Sequence, residues 1–333
     1  MGAEKIVSLN SITKTTKKVN SFLLSRLDGN PKELYKAASH LIEYGGKRLR
    51  PYMVIKSCEI LGGTVRQAMP AAAAVEMIHN FTLVHDDIMD NDEMRHGVPT
   101  VHTKFGMPVG ILAGDVLFSK AFETISDLDY KTPKGVSLAL VSNLARACVN
   151  VCEGQILDIM MAQSKKLPTE IQYIKMIEKK TAALFEVSCS MGAICANTKR
   201  KDVVNLSSFG KNLGIAFQII DDLIGVIGDT RIMKKPVGND IREGKKSLPI
   251  LLAISMSNGH KRKAILNAFG NSTVSKDEIE FAVKVISSLG IEKIVRKKAM
   301  KYSSTAKKSL SCYNGVAKKE LISLLEFVVE RSL

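Results

Sequence analysis

Tryptophan is absent from the 333 residues and aromatic side chains make up only 5% of them, so the 45% hydrophobic content is largely aliphatic and still supplies a substantial core. The six cysteines (Cys58, Cys148, Cys152, Cys189, Cys195, Cys312) form no CxxC pair and no zinc-like grouping with histidine. They read as reduced core thiols of a cytosolic protein. Cys148 and Cys152, four apart, are expected to stack on one helix face as small apolar residues. The N-terminus, MGAEKIVSLN, lacks the apolar run and small-residue cleavage site of a secretory signal. No stretch reaches the ~18 uninterrupted apolar residues of a membrane span. These absences point to a soluble, cytoplasmic protein without a transmembrane segment. Acidic residues are outnumbered: 48 Lys and Arg against 33 Asp and Glu leave a net charge of +15, which favours anionic partners such as nucleic acid, phosphorylated small molecules or a membrane surface.

Missing too are alternating strands with hairpin turns, a low-complexity linker and any fixed-period repeat. Alanine, leucine, isoleucine, methionine and lysine are plentiful, and they favour helix. Apolar residues recur at three and four. Between Met69 and Met89, Ala73, Met77, Phe81 and Val84 form one stripe, and similar patterns run through Val136–Met161, Glu170–Ala196 and Val203–Val226. Beyond residue 246 the segments shorten. The expectation is a single all-helical domain spanning 1–333 with ten or more helices. The lysines at 297, 298, 301, 307, 308, 318 and 319 read as a solvated helix face.

Two acidic clusters close apolar helices. The first is HDDIMD at 85–90, where Asp86 and Asp90 are four apart and share a face. Like charges that close repel unless a cation lies between them. Magnesium fits, because it takes one or two protein carboxylates and fills its other positions with water and diphosphate oxygens. The second cluster is QIIDDLIG at 218–225, with Asp221 and Asp222. Cationic residues flank both. GGKRLRP at 45–51 is a glycine turn running into a basic segment suited to phosphate. Arg95 follows the first cluster, and Lys235 and Lys245 follow the second. Together they describe two anionic substrates, one held through metal and one held directly.

GGKRLRP at 45–51, HNFTLVHDDIMD at 79–90, MRHGVPT at 94–100, LAGD at 112–115, EGQILD at 153–158, KTAALF at 180–185, GIAFQIIDD at 214–222, KPVGND and EGKKSLP to residue 249 occur in that order. This series resembles the trans-isoprenyl diphosphate synthases, and FTLVHDDIMD is most similar to the archaeal geranylgeranyl diphosphate synthases. The resemblance implies an all-α bundle around a deep central cavity, usually a homodimer. It implies that Lys47, Arg50 and His79 grip isopentenyl diphosphate. Asp86 and Asp90, with Asp221, look like ligands of three magnesium ions on the allylic diphosphate, supported by Asp87 and Asp222. Arg95, Lys180, Lys235 and Lys245 look like direct cationic contacts, and Thr181 and Gln218 resemble residues near the reacting carbon. Two departures stand out. The usual Arg-Arg pair is Arg95-His96, and the second of that pair normally helps hold isopentenyl diphosphate. The second acidic motif ends in Gly225 where many members carry a third aspartate.

The chemistry so implied is metal-assisted ionisation of an allylic diphosphate, attack by the alkene of isopentenyl diphosphate, and loss of a proton to the released diphosphate. Magnesium and basic residues would neutralise charge on the departing oxygen, and apolar walls would keep water from the cation. His79 and His85 are six apart and do not share a helix face. His85 reads as a packed, hydrogen-bonded residue. Phe81, Thr82 and Met77 are the candidate floor of the chain-length cavity, because the family commonly sets product length at the first two of these positions. Phe81 beside the smaller Thr82 suggests geranylgeranyl diphosphate, with farnesyl or longer polyprenyl diphosphates as alternatives. A terpene cyclase shares the first acidic motif, but it has no need of the Lys47, Arg50 and His79 set. A non-catalytic partner subunit would be expected to have lost an acidic cluster. A basic nucleic-acid binder would explain the charge but not the carboxylates, so nucleic acid is not an expected partner. Transient contact with a membrane surface is compatible with the charge.

Overall fold

The structure, a computed structural model, describes residues 3–128, 132–133, 135–228, 238–271 and 273–330, with side chains from residue 11 onward. The described residues form sixteen α-helices, one π-helical turn and one small hairpin. They divide into two compact units. The first comprises Met1–Cys148, Leu184–Gly210 and Leu310–Ser323, and the second Val149–Ala183, Lys211–Ser309 and Leu324–Leu333.

The first unit is organised around α4 (Val65–Met89). Thr64 caps it by a capping box with Gln67, so two amide donors at the helix start are satisfied reciprocally. Ala68, Ala71, Ala72, Ala73 and Ala74 are fully buried on this helix. Their small side chains let α3 (Leu49–Glu59) and α6 (Met107–Ser126) pack closely against it. Around these lie α1 (Ala3–Arg26), α2 (Lys32–Tyr44) and α5 (Val101–Phe105), and the unit also takes the N-terminal half of α7 (Val136–Gln163) and most of α9 (Ala183–Cys195). Between α4 and α5 the chain makes a two-stranded antiparallel hairpin, β1 (Met94–Arg95) with β2 (Val98–Pro99), which corrects the expectation of no hairpin. His96 and Gly97 at its tip both have positive φ, 53° and 82°, as a type I′ turn requires. Strands of two residues are too short to register as an alternating pattern. His40 of α2 anchors the hairpin by donating a 2.8 Å hydrogen bond to the Pro99 carbonyl.

The second unit is built on α8 (Glu170–Ile177), the π turn Glu178–Ala182, the C-terminal half of α10 (Arg200–Ile227) and a series of shorter helices: α11 (Asn239–Arg242), α12 (Leu248–Met256), α13 (Gly259–Ala268), α14 (Lys276–Ser288) and α15 (Ile291–Ser309). The last helix, α16 (Val316–Val329), contributes residues to both units. Ile219, Ile220, Leu223, Leu248, Ile250, Ile286 and Val295 form the centre of one aliphatic core, in keeping with the scarcity of aromatics. Burying each such side chain stabilises by roughly 1.5–3 kcal/mol. The segment expected as one helix over Glu170–Ala196 is thus α8, a π turn and α9. One inserted residue widens the turn without disturbing the apolar period on either side, so the pattern does not reveal it.

All six cysteines are free. Cys148 is buried as expected, but Cys152, one turn further along α7, is exposed, so the two do not share a packed face. Of the described helices, α7 alone is long and apolar enough to cross a membrane by length and composition, with a mean hydropathy of 1.2 in its most apolar window. A third of that window is buried inside the fold (33%), and the helix carries Arg146, Glu153 and Asp158.

Candidate active site

In the first unit the glycine turn at 45–46 delivers three basic residues with different fates. Lys47 is exposed. Arg48 turns inward and is only 4% exposed. Its guanidinium donates to Glu76 at 2.8 Å, to Asn20 at 2.7 Å and to the Ile42 carbonyl at 2.6 Å. Breaking a buried pair of this kind by removing one partner costs about 3–5 kcal/mol. Arg48 is therefore the peg that fixes the turn.

Arg50 opens α3 with its guanidinium stacked over Phe185 at 4.5 Å. It donates to His79 Nε2 at 3.1 Å, while its own Nε is buried with no acceptor. Burial lowers the Arg50 pKa to about 10, with Glu76 opposing, so the side chain stays charged at neutral pH. Burial and then the Arg50, Arg48, Arg95 and His96 charges hold His79 well below the usual imidazole range. His79 is thus neutral and serves Arg50 as an acceptor. A buried charged donor without an acceptor costs on the order of 1–3 kcal/mol or more, and an incoming anion would relieve it. Thr82 supports this corner by donating to the His79 carbonyl at 2.7 Å.

The first acidic cluster separates by helix phase. Asp87 lies three residues after buried Val84 and is itself fully buried. Its Oδ1 accepts from Arg95 Nε at 2.5 Å, and its Oδ2 has no partner. Burial pushes its carboxyl above the usual range, although Arg95 pulls the other way. Asp86 and Asp90 lie on the more open side of α4, half-buried and exposed respectively, and Asp90 caps the helix. That pair is the more accessible to solvent. His96 is exposed at the hairpin tip, its Cβ 3.8 Å from where a side chain at Gly45 would begin. The hairpin therefore sits beside the glycine turn at 45–46. Burial and then Arg95 and Arg48 lower the His96 pKa.

Phe81 packs against His85 (ring centroids 4.6 Å) and Phe118 (5.1 Å), and Phe118 against Phe122 (5.0 Å). Met77, one turn before Phe81, is fully buried. As expected, His85 is packed and hydrogen-bonded, with Nε2 3.3 Å from the Ile111 carbonyl.

In the second unit, Lys180 and Thr181 both lie on the π turn. The widened turn sits against Gly154 of α7, where a Cβ would fall 2.1 Å from the Lys180 backbone nitrogen. Glycine in the EGQ motif is what permits this contact. Lys180 bonds Asp158 at 2.5 Å, and Lys179 pairs with Glu153. Thr181 donates to Gln218 Oε1 at 2.8 Å.

Asp221 is exposed, whereas Asp222 is 2% exposed and accepts from Tyr173 at 2.7 Å, Gln218 at 2.8 Å and Lys245 at 2.9 Å. Burial alone would lower the Lys245 pKa, but the Asp222 and Asp240 carboxylates outweigh it and raise the value above the usual lysine range. A Cβ at Gly225 would lie 2.4 Å from Asp240 Oδ2. The carboxylate of Asp240 thus fills the space where a third aspartate of the motif would begin. Lys235 lies outside the described residues.

Among the described residues, no three histidine, cysteine, aspartate or glutamate side chains converge on a site that would hold a metal ion unaided. Of the aspartates in the two acidic motifs, those with some exposure are Asp86, Asp90 and Asp221. Such hard oxygen donors, few at any one point, suit magnesium that completes its shell with water and diphosphate oxygens. Sequence reasoning missed Glu76, Tyr173 and Asp240. Asp240 stands in the quoted KPVGND run, and only the gap at Gly225 pointed toward it.

An all-α fold with a buried cation set in one unit, and with acidic motifs on α4 and α10 whose buried aspartates pair with Arg95 and Lys245, defines a class of protein that handles organic diphosphates. The chain belongs to the polyprenyl synthetase family, which it matches over residues 31–286, and its fold is the all-α isoprenoid synthase fold. It is 38% identical over 325 residues to a geranylgeranyl diphosphate synthase of Sulfolobus acidocaldarius, covering 97% of this chain and 98% of the other. A solved geranylgeranyl pyrophosphate synthetase from Pyrococcus horikoshii Ot3 superposes with a TM-score of 0.91 at 36% identity, covering 98% of each chain. The polyprenyl synthase of Caulobacter crescentus CB15, solved in complex with calcium and isoprenyl diphosphate, gives 0.86 at 31% identity, again covering 98% of each.

Proposed function

We propose that the protein is a prenyltransferase that condenses isopentenyl diphosphate with dimethylallyl, geranyl and farnesyl diphosphates and makes geranylgeranyl diphosphate. One observation carries the reading: the buried, charged Arg50 has an unmet donor and is held against neutral His79, seven residues before Asp86 on α4. A cyclase acts on one diphosphate and has no use for this pair. Geranylgeranyl synthases among the relatives support the four-unit product.

In this reading Lys47, Arg50, His79 and His96 bind isopentenyl diphosphate. Asp86, Asp90 and Asp221 hold magnesium, three ions in all, with Asp87 and Asp222 behind them. When bound, magnesium neutralises charge on the departing diphosphate. Arg95, Lys180, Lys235 and Lys245 are the cationic contacts to the allylic diphosphate. Thr181 and Gln218 present oxygen dipoles to the allylic cation, which a free amine or thiolate would trap. Because Arg50 already occupies Nε2 of His79, the released diphosphate is assigned the final proton.

The whole chain acts as one catalytic domain, since the family match draws on residues of both units. Homodimerisation is supported by the exposed apolar side chains Met107, Ile111 and Leu112 on α6. The cytoplasm is the proposed compartment, with at most transient membrane-surface contact. The deciding experiment incubates the protein with farnesyl diphosphate, isopentenyl diphosphate and magnesium, then separates the dephosphorylated products. Geranylgeraniol is expected. Cyclised hydrocarbon, or no product from any allylic primer, would overturn the proposal.

A further inference from the structure

Asp222 of the second acidic motif accepts from three donors, and one of them has no place in the reaction as described above. Tyr173 is fully buried on α8, and its hydroxyl donates to Asp222 Oδ2 at 2.7 Å. The other carboxylate oxygen, Oδ1, takes Gln218 Nε2 at 2.8 Å and Lys245 Nζ at 2.9 Å. A carboxylate only accepts, so it dictates which end of the Gln218 amide faces it: the NH2 group. The carbonyl end is thereby turned the other way, where it accepts from Thr181 at 2.8 Å. Thr181 spends its one proton on that bond. What the pair leaves uncommitted are lone pairs on two oxygens, the negative ends of both dipoles.

That polarity matters for the chemistry. Oxygen dipoles aimed at a developing allylic cation lower its energy, and a flipped amide would instead turn NH2 hydrogens toward positive charge. The amide is held against flipping only while Asp222 keeps its own orientation. Rotation of that carboxylate is opposed on the Oδ2 side by Tyr173.

We propose that Tyr173 is a positioning residue for cation formation: acting through Asp222, it fixes the Gln218 amide with its carbonyl oxygen toward Thr181 and the reacting carbon. The inference rests on the prenyl-transfer reading, and its test has an arm independent of turnover.

The test is Tyr173→Phe, which removes one oxygen and keeps the ring. Turnover should fall about tenfold while the KM values for both diphosphates stay within about twofold, since positioned electrostatics act on the transition state rather than on binding. In an Asp222→Asn background, where the facing group both donates and accepts, Tyr173→Phe should cost no further turnover; coupling of this kind is what a double-mutant cycle measures. Independently of substrate, the Gln218 side-chain NH2 in labelled wild-type protein should exchange slowly with solvent, and exchange faster in Tyr173→Phe. The idea fails if turnover is unchanged, if the loss is the same in the Asp222→Asn background, or if only the melting temperature moves. It fails as well if the wild-type Gln218 amide exchanges as freely as an exposed one, a result that needs no variant to fold. An inactive wild type with a restrained amide would refute the prenyl-transfer reading instead, and with it the catalytic part of this proposal.

Discussion

Gly154→Ala adds one methyl group outside the two aspartate motifs, yet it should damage the reaction. The new Cβ would lie 2.1 Å from the Lys180 nitrogen, 2.5 Å from the Lys180 Cα and 2.6 Å from the Lys179 carbonyl carbon. All three are backbone atoms, so no side chain can swing away. Moving the closest contact from 2.1 Å to the 3.4 Å of ordinary van der Waals contact requires the π turn and α7 to part by about 1.3 Å. Forcing extra volume into a closed contact costs ~1–3 kcal/mol of stability. Lys180 and Thr181 ride on that turn, and a displacement of ~1 Å in a positioning element lowers rate by about 10²-fold. Calorimetric melting and steady-state turnover with farnesyl and isopentenyl diphosphates would separate the two effects. The expected result is a protein that is folded at assay temperature with turnover down roughly a hundredfold. Near-normal turnover would show that the π turn does not position Lys180 and Thr181 for catalysis.

Asp86→Asn, which keeps size but removes a charge, should lower turnover by at least ~10²-fold while leaving isopentenyl diphosphate binding alone little changed, as read by calorimetry with that ligand. With its pKa lowered, His96 is charged only below the ordinary histidine range, so the KM for isopentenyl diphosphate should fall as pH drops below ~6.5. His96→Arg, always charged, should lower that KM at neutral pH and flatten its pH dependence; unchanged constants in both experiments would place His96 outside the site. Gly225→Asp, which restores the common motif, should reduce stability and activity because Asp240 already fills the space, and Gly225→Asp with Asp240→Gly should recover part of both. Phe81→Ala should lengthen the product and Thr82→Phe should shorten it to farnesyl diphosphate; identical chain lengths by chromatography would remove both residues from the cavity floor.

The helical period reveals most of the fold because long helices repeat it many times: the stripe through Ala73, Met77 and Val84 marks the buried side of α4, and extending it three residues to Asp87 separates the sealed carboxylate from Asp86 and Asp90. That phase was legible, and it agrees with the resemblance, which sets Asp87 apart as a supporting residue. Arg48 shows the opposite case. In sequence it is one of three basic residues in GGKRLRP. Its partner Glu76 stands 28 positions away, and no local pattern links them. Tyr173 is hidden for the same reason, since its bond to Asp222 spans 49 positions. Residues that touch substrate sit in short motifs because a few consecutive positions on a helix end or turn share one face. Residues that aim them answer to whatever packs behind, and the chain brings those in from elsewhere. The second kind is therefore where the structure adds to the motif reading, and Glu76 and Tyr173 both belong to it.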